Sequence, residues 1–184
     1  MNHALFEFLH GLAHQNAFLD WIFVFFAKYL LYIMVVGFIY ILFAENNWPR
    51  RWYYSVLATL ALIISAGIVS PIVRYFYASP RPFVALLDVT ALVAHVNNSS
   101  LPSGHMMFAA PLALAAYYLN NRVGRWFLVG AALMGVSRVI AGVHWPLDII
   151  TGLVLGAASF YLARFILKKG GVEDKALIEA APVL

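Results

Sequence analysis

Three arginines, two histidines, one aspartate and a Ser-Gly pair, spread over residues 74–148, are the side chains in this sequence that could together handle an anion. Arg74, Arg81 and Arg138 stand among apolar neighbours. An ionisable group in such surroundings normally faces a bundle interior or a watery cavity, and the guanidinium fork matches the oxygens of a phosphate. Headgroup anchoring explains any one of these arginines as well, but it explains three arginines and two histidines poorly. Pro102-Ser103-Gly104-His105 stands directly before an apolar run. There Ser103 reads as a helix N-cap, Gly104 lets a ligand approach the backbone, and the free amides of a first turn favour an anion. His144 and Asp148 are four apart. If a helix has begun, they share a face, and the carboxylate can hold one imidazole nitrogen protonated while the other presents its lone pair. Pro146 complicates that spacing, because it suits a first helical turn but pushes Trp145 toward extended geometry. A histidine with an acidic orienter, beside a second histidine, points to nucleophilic or acid–base chemistry.

Composition indicates the scaffold that holds these residues. Of 184 residues, 64% are hydrophobic and 11% charged, with a mean hydropathy of +0.84, whereas soluble domains run near half apolar and a quarter charged. Lipid is the expected solvent. Spanning helices need about 20 mostly apolar residues, and the stretches 21–43, 53–77, 104–120, 126–142 and 146–167 qualify. The expected fold is therefore an all-α integral membrane protein, one domain over 1–184, with a bundle of five transmembrane helices across 21–167. Pro111 is expected to kink the third span, with a neighbouring helix satisfying the freed carbonyl. Ahead of the bundle, residues 1–20 show no cleavable signal pattern; within them, 2–15 read as an amphipathic interfacial helix with Leu5, Phe8, Leu9 and Leu12 on its apolar side. A re-entrant element is the alternative. The stretch 170–184 reads as a mobile cytoplasmic tail. The absence of cysteine excludes disulfides, thiolate zinc sites and thiol nucleophiles.

Orientation comes from the basic residues. Arg50, Arg51, Arg122, Arg125, Arg164, Lys168, Lys169 and Lys175 fall on one side of five spans, and Arg74, Arg81 and Arg138 on the other. Eight against three puts the C-terminus in the cytoplasm and the N-terminus outside. Ser103, His105, His144 and Asp148 then join the three arginines on the outer face, although no motif entered that count. Lys28, inside the first span, is a candidate substrate contact, with snorkelling to the interface as its plainer explanation. Trp21, Trp48, Trp52, Trp126 and Trp145 fall at span ends, as an aromatic belt expects.

Arg74-x6-Arg81-Pro82, Pro102-Ser103-Gly104-His105 and Ser137-Arg138-x5-His144-x3-Asp148 together resemble the three-part signature of the type 2 phosphatidic-acid phosphatase superfamily. Arg74 departs from it, since that family usually opens with Lys. The resemblance implies roles. His144 would attack phosphorus and form a phosphohistidine, with Asp148 orienting it. His105 would protonate the leaving oxygen and then activate water. Arg74, Arg81, Arg138, Ser103 and the Gly104 amide would cradle the phosphoryl oxygens. It implies no cofactor and no metal, the arginines standing in for Mg²⁺.

The compact length, the His10-Gly11-Leu12 segment and Arg81-Pro82-Phe83-Val84 further resemble the bacterial undecaprenyl-diphosphate phosphatases of the bacitracin-resistance type. The implied partner is a polyprenyl or phospholipid phosphate in the bilayer of the bacterial cytoplasmic membrane, with no nucleic acid. Phosphatidylglycerol phosphate, phosphatidic acid and lipid A are the alternative substrates within the family. A small transporter is the alternative outside it, though its polar groups should run through the membrane's depth.

Overall fold

The computed structural model describes residues 2–94 and 99–172, and among them the regular secondary structure is helical apart from one isolated bridge between Pro80 and Ser99. His95, Asn97, Asn98, Lys175 and the tail beyond Val172 lie outside the described residues. The helices are α1 (Asn2–His10), α2 (Ala17–Ala44), α3 (Trp48–Phe76), α4 (Pro82–Ala85), α5 (Gly104–Leu119), α6 (Asn121–Ile140) and α7 (Pro146–Lys169). By length and apolarity α2, α3, α6 and α7 can each cross a membrane. At 16 residues, α5 is shorter, about 24 Å at 1.5 Å per residue. It packs against α2, α3, α6 and α7, and ten of its residues are buried. Its ends are therefore covered by protein rather than lipid, which relaxes the length a lipid-facing span needs. Tyr32, Val36, Tyr40 and Phe43 on α2 carry the opposite character, an outward stripe at helical spacing that suits a hydrocarbon solvent.

Small residues let α5 and α7 approach closely. A Cβ at Gly152 would lie 2.7 Å from the Met106 Cβ and 2.9 Å from the Ser103 carbonyl, and one at Gly156 would meet the Ala110 Cβ at 2.9 Å. The four-residue interval puts both glycines on one face, the small-residue seam that draws membrane helices together. It also brings the start of α5, with Ser103 and His105, against the start of α7.

Pro111 sits inside α5 without an amide hydrogen, so the carbonyl four residues earlier, Met107, loses its helical donor. The buried Ser65 hydroxyl of α3 supplies one at 2.5 Å. Ser65 lies in a π-helical stretch, Ile63–Val69, where the Ser70 amide donates to the Ser65 carbonyl. Up to that point Tyr54, Leu57, Ala58, Ala61, Ile64 and Ser65 keep an α-helical inward pattern. Uninterrupted, it would continue through Ile68 and Ile72, yet these are 49% and 51% exposed and the inward face resumes at Ser70. The extra residue in the π-turn rotates the remainder of α3 by about 100°, and so turns Arg74 toward the bundle.

The N-terminal helix forms within the expected stretch, and the residue it buries lies outside the stripe of Leu5, Phe8, Leu9 and Leu12. Phe6 is the residue it buries, at 1% exposure, with its ring 4.9 Å from that of Trp145 and 5.2 Å from that of His10. Leu9 packs on the core, while Leu5, Phe8 and Leu12 face outward. The helix docks across the ends of α6 and α7, with His10 Nδ1 2.8 Å from the Ile140 carbonyl and the Leu147 amide donating to Asn2 Oδ1 at 3.0 Å. Gly142 closes the turn after α6 at φ +73°, and a Cβ there would press within 3.1 Å of His10.

Candidate active site

Arg74, Arg81, Ser103, Gly104, His105, Arg138, His144 and Asp148 are joined at one end of the bundle by a continuous set of contacts. The segment between α6 and α7 starts it. α7 begins at Pro146, so His144 precedes the helix and does not share a helical face with Asp148. Asp148 instead sits in the first turn, where its Oδ2 accepts the Trp145 amide at 2.8 Å and lies 3.4 Å from His144 Nδ1. The four-residue spacing works because a carboxylate three positions into a helix can cap the chain entering it. Both side chains are buried, His144 at 1% and Asp148 at 2% exposure.

Arg81 reaches the same imidazole from the other side. Its Nη1 donates to the Val143 carbonyl at 2.6 Å and lies 3.3 Å from His144 Nε2, and its Nη2 donates to the Ser99 carbonyl at 3.1 Å. A guanidinium can only donate, so Nε2 of His144 is the acceptor and the proton sits on Nδ1, toward Asp148. That tautomer presents a lone pair at Nε2. Burial, and then the charge of Arg74, push the Arg81 guanidinium down to about 10, with Asp148 pulling the other way. It remains cationic at neutral pH, and any anion beside it offsets its desolvation.

Arg138, 2% exposed, is held through Nη1 by the Ala27 carbonyl at 2.9 Å, and the same nitrogen lies 3.2 Å from His105 Nε2. Ala27 belongs to the π-helical turn Phe25–Tyr29 of α2, and a widened turn loosens the helical ladder enough for a carbonyl to serve a neighbour. Arg74 donates from Nη2 to the Pro102 carbonyl at 3.2 Å, and a Cβ at Gly104 would stand 3.1 Å from that nitrogen. Gly104 therefore admits the guanidinium beside the first turn of α5. Ser103 is the N-cap residue of that helix, but its hydroxyl makes no capping bond. The buried Ser103 Oγ, Arg74 Nε, and Arg138 Nε and Nη2 have no hydrogen-bond partner among the described residues. Native proteins rarely leave such groups unpaired. Four of them around two histidines form a site whose hydrogen bonds an oxyanion would complete.

The sequence profile of the PAP2 superfamily matches residues 52–170. The chain belongs to the PAP2 superfamily. This PAP2 chain is 31% identical over 168 residues to the undecaprenyl-diphosphatase BcrC of Bacillus subtilis, covering 90% of this chain and 84% of the relative. It is also 27% identical over 169 residues to phosphatidylglycerophosphatase B of the same organism, covering 86% of this chain and 73% of that one. Among solved structures, LpxE of Aquifex aeolicus superposes with a TM-score of 0.73 at 25% identity, covering 88% of this chain and 93% of its own. The PAP2 chain described here is accordingly a multi-pass, all-helical membrane phosphatase.

Three contributors to this PAP2 site carried no sequence signal. The Ala27 carbonyl depends on a π-turn, and the Val143 carbonyl belongs to a residue type without side-chain polarity. Ser100 is fully buried, donates from Oγ to Asp148 Oδ2 and lies 3.4 Å from His144 Nδ1; it stands outside the Pro102-Ser103-Gly104-His105 segment. Lys28 stands apart, exposed on α2 with its Nζ 5.2 Å from the Tyr29 ring centroid. Trp145 does more than mark an interface, since its Nε1 donates to the Pro80 carbonyl at 2.9 Å and so ties the segment bearing Arg81 to the segment bearing His144.

Proposed function

We propose that this chain hydrolyses undecaprenyl diphosphate to undecaprenyl phosphate at the outer face of the bacterial cytoplasmic membrane, through a phosphohistidine on His144. The observation that carries the reading is the set of buried donors on Arg74, Ser103 and Arg138, unpartnered among the described residues, around an imidazole whose Nε2 is the unprotonated nitrogen and faces Arg81. In the first step Nε2 attacks the terminal phosphorus in line, and the bond from that phosphorus to the bridging oxygen breaks. His105 protonates that oxygen as the lipid monophosphate departs. His105 then takes a proton from a water that attacks the phosphorus; the phosphorus–nitrogen bond breaks, its electron pair returns to His144 Nε2, and inorganic phosphate leaves. The Arg74, Arg81 and Arg138 charges, with the Ser103 hydroxyl and the Gly104 amide, stabilise the equatorial oxygens in both transition states, the task Mg²⁺ performs in many phosphoryl-transfer enzymes.

The likeness to the B. subtilis undecaprenyl-diphosphatase over 90% of this chain supports the polyprenyl substrate, and the excess of basic residues at the opposite end supports the outer face. The likeness to a phosphatidylglycerophosphatase supports a second reading, a phospholipid monoester. A transport pathway is disfavoured, because the site's charged groups gather at one end of the bundle. Phosphate release by the purified protein from undecaprenyl diphosphate, phosphatidylglycerol phosphate and phosphatidic acid separates these readings. The expected result is a kcat/KM at least about tenfold higher for undecaprenyl diphosphate. A phospholipid hydrolysed as well or better would overturn the assignment.

A further inference from the structure

Ser100 lies outside all three parts of the signature, two residues before Pro102. Its side chain is nonetheless fully buried against the two groups at the centre of the chemistry. Its hydroxyl donates to Asp148 Oδ2, the same oxygen that accepts the Trp145 amide, and its oxygen lies 3.4 Å from His144 Nδ1. Nδ1 carries the proton, as the contact between Arg81 and Nε2 requires. That N–H therefore faces two acceptors at 3.4 Å, the carboxylate and the serine oxygen. Both distances are long for a hydrogen bond, so neither acceptor alone fixes the imidazole, and the short serine–carboxylate contact locks them into one unit.

Ser100 is itself anchored. Its amide donates to the Ser79 carbonyl at 2.7 Å, Pro80 and Ser99 form an antiparallel bridge, and Arg81 Nη2 holds the Ser99 carbonyl. The Ser103 amide in turn donates to the Asp148 carbonyl at 3.2 Å. The short segment 99–103 thus pairs on one side with the Arg81 segment and on the other with the start of α7.

Resting on the proposed phosphohistidine chemistry, we infer that Ser100 is a positioning residue that orients Asp148 and, through it, His144, donating to the carboxylate while accepting from the imidazole Nδ1–H. A residue with this role acts on the chemical step and not on substrate capture. It should also act only while Asp148 is a carboxylate.

The test is a double-mutant cycle with Ser100→Ala and Asp148→Asn in the full chain, assayed in detergent with the wild type's preferred lipid phosphate. Ser100→Ala should lower kcat by roughly tenfold to a hundredfold, the loss of one hydrogen bond to a charged group, with KM changed less than about threefold. Ser100→Thr, which keeps the hydroxyl, should recover most of that loss. In the Asp148→Asn background, Ser100→Ala should cost less than about threefold, because the two act as one unit. Should Ser100→Ala fail to fold, Ser100→Cys, close in size and a weak donor, takes its place and should show the same lowered kcat and the same coupling. A wild-type kcat in whichever variant folds, or losses that multiply fully with Asp148→Asn, would overturn the role of Ser100 and leave the phosphatase reading intact. Failure of the wild type to release phosphate from any lipid would overturn both.

Discussion

Arginines stand at both ends of this bundle, and they are used in opposite ways. At the end carrying the chain between α2 and α3, Arg50 pairs with Glu45 at 3.3 Å and donates to the Leu119 carbonyl at 2.7 Å. Arg51 donates to the Phe43 and Glu45 carbonyls, closing the end of α2. These guanidiniums complete helix termini, whose last carbonyls lack partners. At the other end Arg138 is held by one nitrogen on the Ala27 carbonyl and Arg74 by one on the Pro102 carbonyl, and among the described residues Arg138 Nε and Nη2 and Arg74 Nε are buried without a partner. One set finishes the fold. The other is held by part of its donors and offers the rest, at a desolvation cost that a bound oxyanion offsets.

The contrast breaks most visibly at Arg138. Arg138→Ala should reduce phosphate release by roughly a hundredfold to a thousandfold, the usual loss when one preorganised donor to a developing oxyanion is removed. A loss below about tenfold would place Arg138 with the structural arginines. Gly104→Ala should have a smaller effect, about tenfold in kcat/KM, because a Cβ 3.1 Å from Arg74 Nη2 obliges the guanidinium to shift without removing it. Unchanged kcat/KM would mean that the placement of Arg74 is not critical. At the opposite end, Arg51→Ala should leave kcat/KM within about twofold while lowering thermal stability by about 1 kcal/mol, since it strips capping contacts from α2. Turnover that collapsed in a folded Arg51 variant would erase the distinction between the two ends.

Much of this division was legible in the sequence because it rests on polarity. Charges in a lipid-solvated chain are costly wherever they fall, so Arg74, Arg81, Arg138, His144 and Asp148 stood out against their neighbours, and the count of basic residues gathered them at one end. The carbonyl freed by Pro111 was also foreseeable, since proline's missing amide dictates that Met107 needs another donor; that Ser65 would supply it was not. Backbone departures from a regular helix stayed hidden. The π-turn that takes the inward face from Ser65 to Ser70 leaves no mark in residue types, and a strict helical period would have buried Ile68 and Ile72 instead. The spacing of His144 and Asp148 suggested a shared helical face, whereas the pair meets across a helix start set by Pro146. Phe6 was overlooked on α1 because Leu5, Phe8, Leu9 and Leu12 made the more regular stripe, and burial there depends on contact with Trp145 rather than on periodicity.

The decisive measurement is phosphate release from undecaprenyl diphosphate by purified His144→Ala, in excess EDTA beside the wild type. Sustained turnover is expected of the wild type, and none above background of a variant that remains folded in detergent. Near-normal turnover by His144→Ala would contradict the assignment of the nucleophile, and wild-type activity that vanished with the chelator would contradict the arginine-based, metal-independent mechanism.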